Sequence, residues 1–166
     1  MLTFDEIKEL MKDAQSAKYR GVSFDEWLSA NDGSRSSFLV WVGSAIKHGQ
    51  VEDLRKAWEE IDGTISVGLG CTIYFYTDHK AATITDVVLG KSGKNKGLPI
   101  KVYVRKNKTI CKDFYAGDYD VVDELEGGCY CFTKRRGCRW IEEGSSIHDG
   151  LELGIGYRDH YIDPCF

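Results

Sequence analysis

The chain of 166 residues is 42% hydrophobic and 12% aromatic, which is enough for a packed core and too much for a disordered chain. Its net charge of −4 makes direct nucleic-acid binding unexpected as the main role, because such proteins usually carry a basic stripe. The sequence contains no run of about 18 apolar residues, so we expect no membrane span. The acidic start lacks the basic and apolar regions of a signal peptide, so we expect a cytoplasmic protein.

The spacing of apolar residues changes near Gly63. Before this residue they recur every three to four positions, as on one face of a helix, and after it they recur every second position, as on one face of a strand. This change predicts an α+β fold with two domains. Residues 1–62 would form a small helical bundle, and residues 63–166 an antiparallel β module, either barrel-like or a bent sheet.

Four helices are predicted in the first module. The sequences Thr3-Phe4-Asp5-Glu6 and Ser23-Phe24-Asp25-Glu26 are capping boxes, in which the first side chain and the glutamate satisfy each other's backbone amides. A third helix is expected from about Arg35 to His48, and a fourth from Val51 to Ile61. We expect the core of the bundle to contain three tryptophans: Trp27, Trp41 and Trp58.

Six or seven short strands are predicted in the second module. The first covers 67–75, and a return strand covers 82–89. A solvated, flexible basic loop at 90–97 leads to a half-buried strand at 100–105. The remaining predicted segments are a turn at 106–108, a strand at 109–114, an acidic loop at 118–126, a hairpin of 129–133 with 138–141, and a last strand at 151–157.

All six cysteines lie in the β module. Without a signal peptide we expect them to be reduced, and the simplest interpretation is that they are core thiols. A metal site and a disulfide remain alternatives, although the spacing of Cys129, Cys131 and Cys138 does not match a zinc knuckle. No cofactor and no metal is predicted.

Two Asp-His dipeptides are the best pair of titratable groups. Asp78-His79 and Asp159-His160 each follow a strand that ends in aromatic residues, and a β module can bring such strand ends together. Histidine and aspartate together suit acid–base chemistry or metal ligation. The alternative is that the aspartates are turn residues and the histidines are simply exposed.

Two further groups are candidates for partner binding. Several of the aromatic residues Tyr74, Tyr76, Tyr103, Tyr130 and Phe132 lie opposite the aliphatic face of their strands, where they can stack bases or contact a protein. The alternative is that helices of the first module cover that face. A basic hairpin tip suits a phosphate group or an acidic protein patch. It comprises Lys134, Arg135, Arg136 and Arg139.

Parts of the second module resemble a family of small uncharacterised proteins of bacteriophages and related mobile elements. The matching stretches are 70–78, 81–87, 137–141 and 153–163. Where that family often has Asp-Arg-His, this chain has Asp78-His79-Lys80. The resemblance implies a phage-type gene context and hence the cytoplasm of a bacterial host. Small phage proteins of this kind often act by binding host machinery.

Three functions follow as hypotheses. The first is a non-enzymatic accessory protein that binds and inhibits a host protein or ribonucleoprotein complex, most concretely an anti-CRISPR inhibitor of a Cas effector, with a homodimer as one possible assembly. The second is a small-ligand or cyclic-nucleotide binding protein. The third is a hydrolase-type enzyme that uses the Asp/His pairs. Ligand binding would involve Lys91, Lys94, Asp78, His79, Arg158 and His160.

Overall fold

The computed structural model describes residues 1–11, 14–31 and 40–165, except for the side chains of Val40, Trp41 and Cys138. The chain divides into two compact units, Met1–Thr64 and Ile65–Phe166. Helices occur in the first unit and an antiparallel sheet in the second, which confirms this part of the predicted fold. No helix among the described residues is both long enough and apolar enough to cross a membrane.

Five short α-helices make up the described part of the first unit. Both predicted capping boxes are present, at Thr3 and at Ser23. The predicted third helix is seen from Val40 onward, whereas its expected start at 35–39 and the Trp41 side chain lie outside the described residues. The helices are α1 (Phe4–Leu10), α2 (Ala14–Tyr19), α3 (Phe24–Ala30), α4 (Val40–Lys47) and α5 (Val51–Glu60).

Aromatic packing holds the helical unit together. The rings of Trp27 and Trp58 lie 5.3 Å apart between centroids, and Phe24 packs against both of them. Both tryptophans are buried, as predicted, together with Ile7 and Leu54. Because buried aromatic side chains remove large apolar areas from water, this cluster supplies much of the stabilisation of a unit this small.

Six antiparallel strands form a closed ring in the second unit. Each strand pairs with the next, and the last pairs back with the first. Every strand of the described sheet therefore has a neighbouring strand on each side. The strands are β1 (Gly70–Tyr74), β2 (His79–Leu89), β3 (Pro99–Asp113), β4 (Asp118–Lys134), β5 (Trp140–Glu142) and β6 (Glu152–Ile155).

Apolar side chains from all six strands are buried in the second unit. Cys71 is among them, and burial raises the pKa of its thiol to about 12, which fits the expected core role. Phe132, which the sequence placed on an exposed aromatic face, is fully buried. The buried apolar residues of the strands are Cys71, Ile73, Ala81, Ala82, Ile84, Val102, Val104, Phe132, Trp140, Ile141, Leu153 and Ile155.

Two predicted connections are wrong. Residues 106–108 continue β3 instead of turning, and residues 118–126 belong to β4 instead of forming a loop. Cross-strand pairing explains the difference, since Lys108 and Lys112 form ion pairs with Glu124 and Asp120 across the two strands. We call residues 107–126 the ribbon, because there β3 and β4 pair with each other and with no other described strand.

Candidate functional site

The C-terminal segment, residues 157–163, returns along β1 after a turn at Gly156, whose φ is +103°. The buried Thr72 hydroxyl holds one part of it, donating to the Tyr157 carbonyl and accepting from the Asp159 amide, both at 2.9 Å. Farther along, His79 and Tyr161 exchange two backbone hydrogen bonds. The Asp163 amide donates to the Asp78 carboxylate at 3.0 Å. The segment is thereby tied to the middle of β1 and to the turn between β1 and β2.

This segment brings the two Asp-His dipeptides together. Nδ1 of His79 lies 2.8 Å from Oδ2 of Asp159, and the Tyr74 ring stands edge-on to the imidazole with 4.7 Å between centroids. A carboxylate in this position fixes the orientation of an imidazole, which is one part of a general base. The nearby hydroxyls of Tyr74 and Tyr157 hydrogen-bond to each other, and burial raises the pKa of Tyr74.

The second histidine of the pair has a different environment. His160 packs against Tyr119 of the ribbon, with 4.7 Å between ring centroids. Both imidazole nitrogens are buried without a hydrogen-bond partner among the described residues. Burial lowers the pKa of His160, and the nearby Lys80 lowers it further, although Asp159 and Asp78 oppose them. His160 is therefore an uncharged packing residue at neutral pH.

Lys80 lies close to the two dipeptides. Its ammonium group is 3.8 Å from the Asp78 carboxylate, and burial lowers its pKa. Lys106 lowers it further. The Lys80 ammonium and the Asp78 carboxylate carry opposite charges, so each partly neutralises the other. Among the described residues, no group of three or more His, Cys, Asp or Glu side chains is placed to hold a metal ion.

Exposed aromatic side chains collect at the same end of the ring. Tyr76, in the turn between β1 and β2, is 101% exposed, and Tyr115, at the tip of the ribbon, is 87% exposed. Tyr161 connects the two places, because it pairs with His79 and its ring lies 3.3 Å from the position of a Cβ on Gly117. We define the aromatic end as Tyr76, Phe114, Tyr115 and Tyr161.

Three members of the aromatic end were missed from the sequence. Phe114 was assigned to a strand, and Tyr115 and Tyr161 were not singled out. A local signal was present for Tyr115, since the Asp113 carboxylate accepts hydrogen bonds from the amides of Tyr115 and Ala116, as aspartate commonly does in turns. The closeness of Tyr161 to Gly117 depends on the whole topology and has no local signal.

The predicted partner-binding residues are divided between opposite ends of the ring. Ile73 of β1 and Trp140 of β5 both lie opposite Leu153 of β6, so β1 and β5 run in the same direction. Residues after Ile73 therefore lie at one end and residues before Trp140 at the other. Tyr74 and Tyr76 are thus separated from the basic tip Lys134, Arg135, Arg136 and Arg139, and Tyr103 is half-buried on β3.

One member of the basic tip is already paired. The guanidinium of Arg139 forms two hydrogen bonds with the carboxylate of Glu152, at 3.1 Å and 2.6 Å. Two parallel bonds of this kind fix an arginine firmly. Arg135 and Arg136 are exposed, and Lys134 is half-buried.

The predicted ligand-binding residues do not form one site. Lys91 and Lys94 follow β2, whereas Asp78 and His79 lie at its start, so the length of the strand separates them by about 30 Å. Arg158 is occupied, because it donates to the Thr83 hydroxyl at 2.9 Å and lies 3.7 Å from Asp123.

The cysteines described in the β unit are unpaired thiols. Cys71 is buried and Cys131 is half-buried, whereas Cys111, Cys129 and Cys165 are exposed, so the expectation of core thiols is wrong for these three. Burial raises the pKa of Cys131 to about 11, and the neighbouring Glu143 raises it as well. None of the five forms a disulfide with another described residue, so the disulfide alternative has no support among them.

Comparisons with protein-family models, with curated proteins and with solved structures found no match to this chain.

Proposed function

We propose that this chain is a protein-recognition module that binds a partner through the aromatic end of its β unit. The observation that carries the proposal is the clustering of Tyr76, Phe114, Tyr115 and Tyr161 at one end of the ring. Tyrosine is enriched in protein interfaces because it offers a large apolar surface and one hydrogen-bonding group. Exposed apolar side chains that cluster on a surface are typical of a contact site.

The backbone beneath these side chains is well fixed. The turn that carries Tyr76 is closed by a hydrogen bond of 2.8 Å from the Phe75 amide to the Asp78 carbonyl. Tyr115 lies in the turn held by the Asp113 carboxylate, and Tyr161 is paired with His79. A surface that is ordered before binding loses less conformational entropy when a partner arrives. This favours recognition of a folded partner by a preformed surface.

The resemblance to phage and mobile-element proteins supports a partner in a bacterial host. The proposed role is inhibition of a host defence complex, and its most concrete form is inhibition of a Cas effector. Binding would act by covering a surface that the complex needs. One copy of the chain could bind one partner molecule, or two copies could bind two. In both assemblies the aromatic end would contact the partner.

A comparative affinity capture tests this proposal. The tagged wild type and the variant Tyr76→Ala/Tyr115→Ala would be incubated with bacterial lysate, and captured proteins would be quantified by mass spectrometry. We expect a stoichiometric partner with the wild type and at least about a tenfold loss with the variant, because central aromatic contacts dominate interface energies.

The matched control is Leu89→Ala/Leu98→Ala, which truncates two half-exposed apolar side chains next to the β2–β3 loop. It should capture the partner as the wild type does. Equal capture by wild type and the tyrosine variant, with circular dichroism showing that both are folded, would contradict the proposed surface. So would a loss of capture in the leucine control alone.

A further inference from the structure

The chain's negative charge belongs to its helical unit. Residues 1–64 contain 8 Lys and Arg residues and 12 Asp and Glu residues, whereas residues 65–166 contain 14 of each. The β unit is therefore neutral on balance, and the net charge of −4 says little about its surface. What matters for a partner of this unit is where its 14 positive and 14 negative charges lie.

Positive charge is concentrated in two stretches of the β unit. Residues 87–112 and residues 127–141 contain no aspartate or glutamate. The register of the sheet places their loops side by side, because Leu89 pairs with Pro99, and Lys101 pairs with Thr133. The loop at 90–98 and the turn at 134–139 therefore leave adjacent strands at the same end, which we call the basic end.

Six cations at the basic end lack a close ion-pair partner. Lys101 and Arg139 are neutralised by Glu143 and Glu152. The other six form no ion pair within 4.0 Å of any residue that the structure describes, although the pKa of the Glu143 carboxyl, which the hydrogen bond from Lys101 lowers most, is lowered further by the nearby Arg135. Five of the six side chains are exposed and Lys134 is half-buried. These six cations are Lys91, Lys94, Lys96, Lys134, Arg135 and Arg136.

The loop that carries the three lysines has a defined backbone. The Gly90 amide donates to the Leu98 carbonyl and the Gly97 amide donates to the Gly90 carbonyl, both at 2.9 Å. A Cβ on Gly90 would lie 2.2 Å from the carbonyl oxygen of Asn95, so only glycine fits there. The sequence suggested a flexible loop, whereas these bonds hold its lysines on a closed turn that faces solvent.

We propose that the basic end binds the phosphate backbone of double-stranded nucleic acid without sequence preference. Lysine and arginine side chains gain affinity for a duplex by displacing its condensed counterions. Neither 89–98 nor 134–139 contains an aromatic residue, so this surface lacks the stacking side chains that single-strand binders use. Backbone contacts of this kind position a protein but do not read bases. The site is remote from the aromatic end and does not depend on the proposed function.

Fluorescence anisotropy with a labelled 20-base-pair duplex of mixed sequence tests the proposal in the full chain. If all six cations contact phosphates, the logarithm of the affinity should fall against the logarithm of salt concentration with a slope of about −5. The variant Lys94→Glu/Arg135→Glu/Arg136→Glu should bind at least about 100-fold more weakly at 50 mM salt, and its slope should be smaller by about 3.

The matched control is Arg20→Glu/Lys47→Glu/Lys56→Glu, which changes the net charge equally with three exposed residues of the helical unit. It should bind the duplex within about threefold of the wild type, since none of these three charges belongs to the basic end. The variant Tyr76→Ala/Tyr115→Ala should also bind normally, so a failure of the aromatic end can be distinguished from a failure here.

Three results would overturn the proposal. The first is a folded wild type that does not bind the duplex at 50 mM salt. The second is an equal loss of affinity in the two charge-reversal variants. The third is preference for another anion, either a single strand of the same length bound more tightly than the duplex, or vesicles of phosphatidylcholine and phosphatidylserine bound while the duplex is not. Vesicle binding would assign the basic end to a lipid surface.

Discussion

The imidazole of His160 is buried against Tyr119 with both nitrogens unpartnered, and this gives one residue a measurable effect on stability. Burial lowers its pKa below the ordinary value of about 6.5, so between the two values the unfolded chain binds a proton that the folded chain does not. Stability should therefore fall as pH decreases from about 7.5 through 6.5, by at most about 1.4 kcal/mol per pH unit, until the folded-state pKa is passed.

Urea unfolding of the wild type and His160→Phe at pH 7.5 and pH 5.5 measures this effect. Phenylalanine keeps the contact with Tyr119 but cannot titrate, so the variant should lose less stability on acidification. His148→Phe is the control, because His148 is exposed and its replacement should leave the wild-type pH dependence. If His160→Phe and the wild type lose equal stability between the two pH values, His160 is not held uncharged.

At the scale of elements, the ribbon depends on a buried asparagine for its attachment to the ring. The Asn107 side chain accepts a hydrogen bond from the Thr83 hydroxyl at 2.8 Å and donates one to the Val122 carbonyl at 3.1 Å. Asn107→Ala would remove the acceptor of the Thr83 hydroxyl proton and the side-chain donor to the Val122 carbonyl, and lost hydrogen bonds of buried polar groups cost about 1–3 kcal/mol. A two-stranded ribbon is only marginally stable by itself, so the loss should appear locally.

Hydrogen exchange measured by mass spectrometry locates that loss. In Asn107→Ala, amides of the ribbon should exchange faster, while those of β1 and β6 stay protected. Lys108→Ala is the neighbouring control, since it removes only an exposed ion pair with Glu124 and should change stability by less than about 1 kcal/mol. Uniform acceleration across the ring, or none in the ribbon, would contradict the role given to Asn107.

The same elements show how far the sequence alone can lead. The capping boxes at Thr3 and Ser23 are predictable because they join residues three apart, and the alternation around Cys71 and Ile73 is equally local. The acidic stretch at 118–126 was assigned to a loop because aspartate and glutamate disfavour strands. The lysines that pair with it lie 8 and 16 residues away, and only the register of β3 and β4 reveals the partnership.

In the candidate sites too, local sequence features were predictable, whereas placement that depends on long-range strand pairing was not. The similar places of Asp78-His79 and Asp159-His160 after strands allowed the two dipeptides to come together, and His79 lies 2.8 Å from Asp159. Which end of the ring each residue occupies depends on strand direction. For that reason Tyr76 and Arg135, which were grouped in one predicted surface, lie at opposite ends of the ring. Lys91 and Arg135, which the sequence did not group, lie at the same end.

For the whole molecule, the closed ring predicts that the β unit folds without the helical unit. Every strand pair joins residues between 70 and 155, and the C-terminal segment is tied to β1 and β2 of the same unit. A fragment of residues 65–166 should therefore give a β-type circular dichroism spectrum and a cooperative thermal transition. Residues 1–64 should melt at a lower temperature, because a unit of about 60 residues buries a smaller fraction of its surface. An unfolded 65–166 fragment, with a full-length chain that melts in one step, would show that the two units depend on each other for stability.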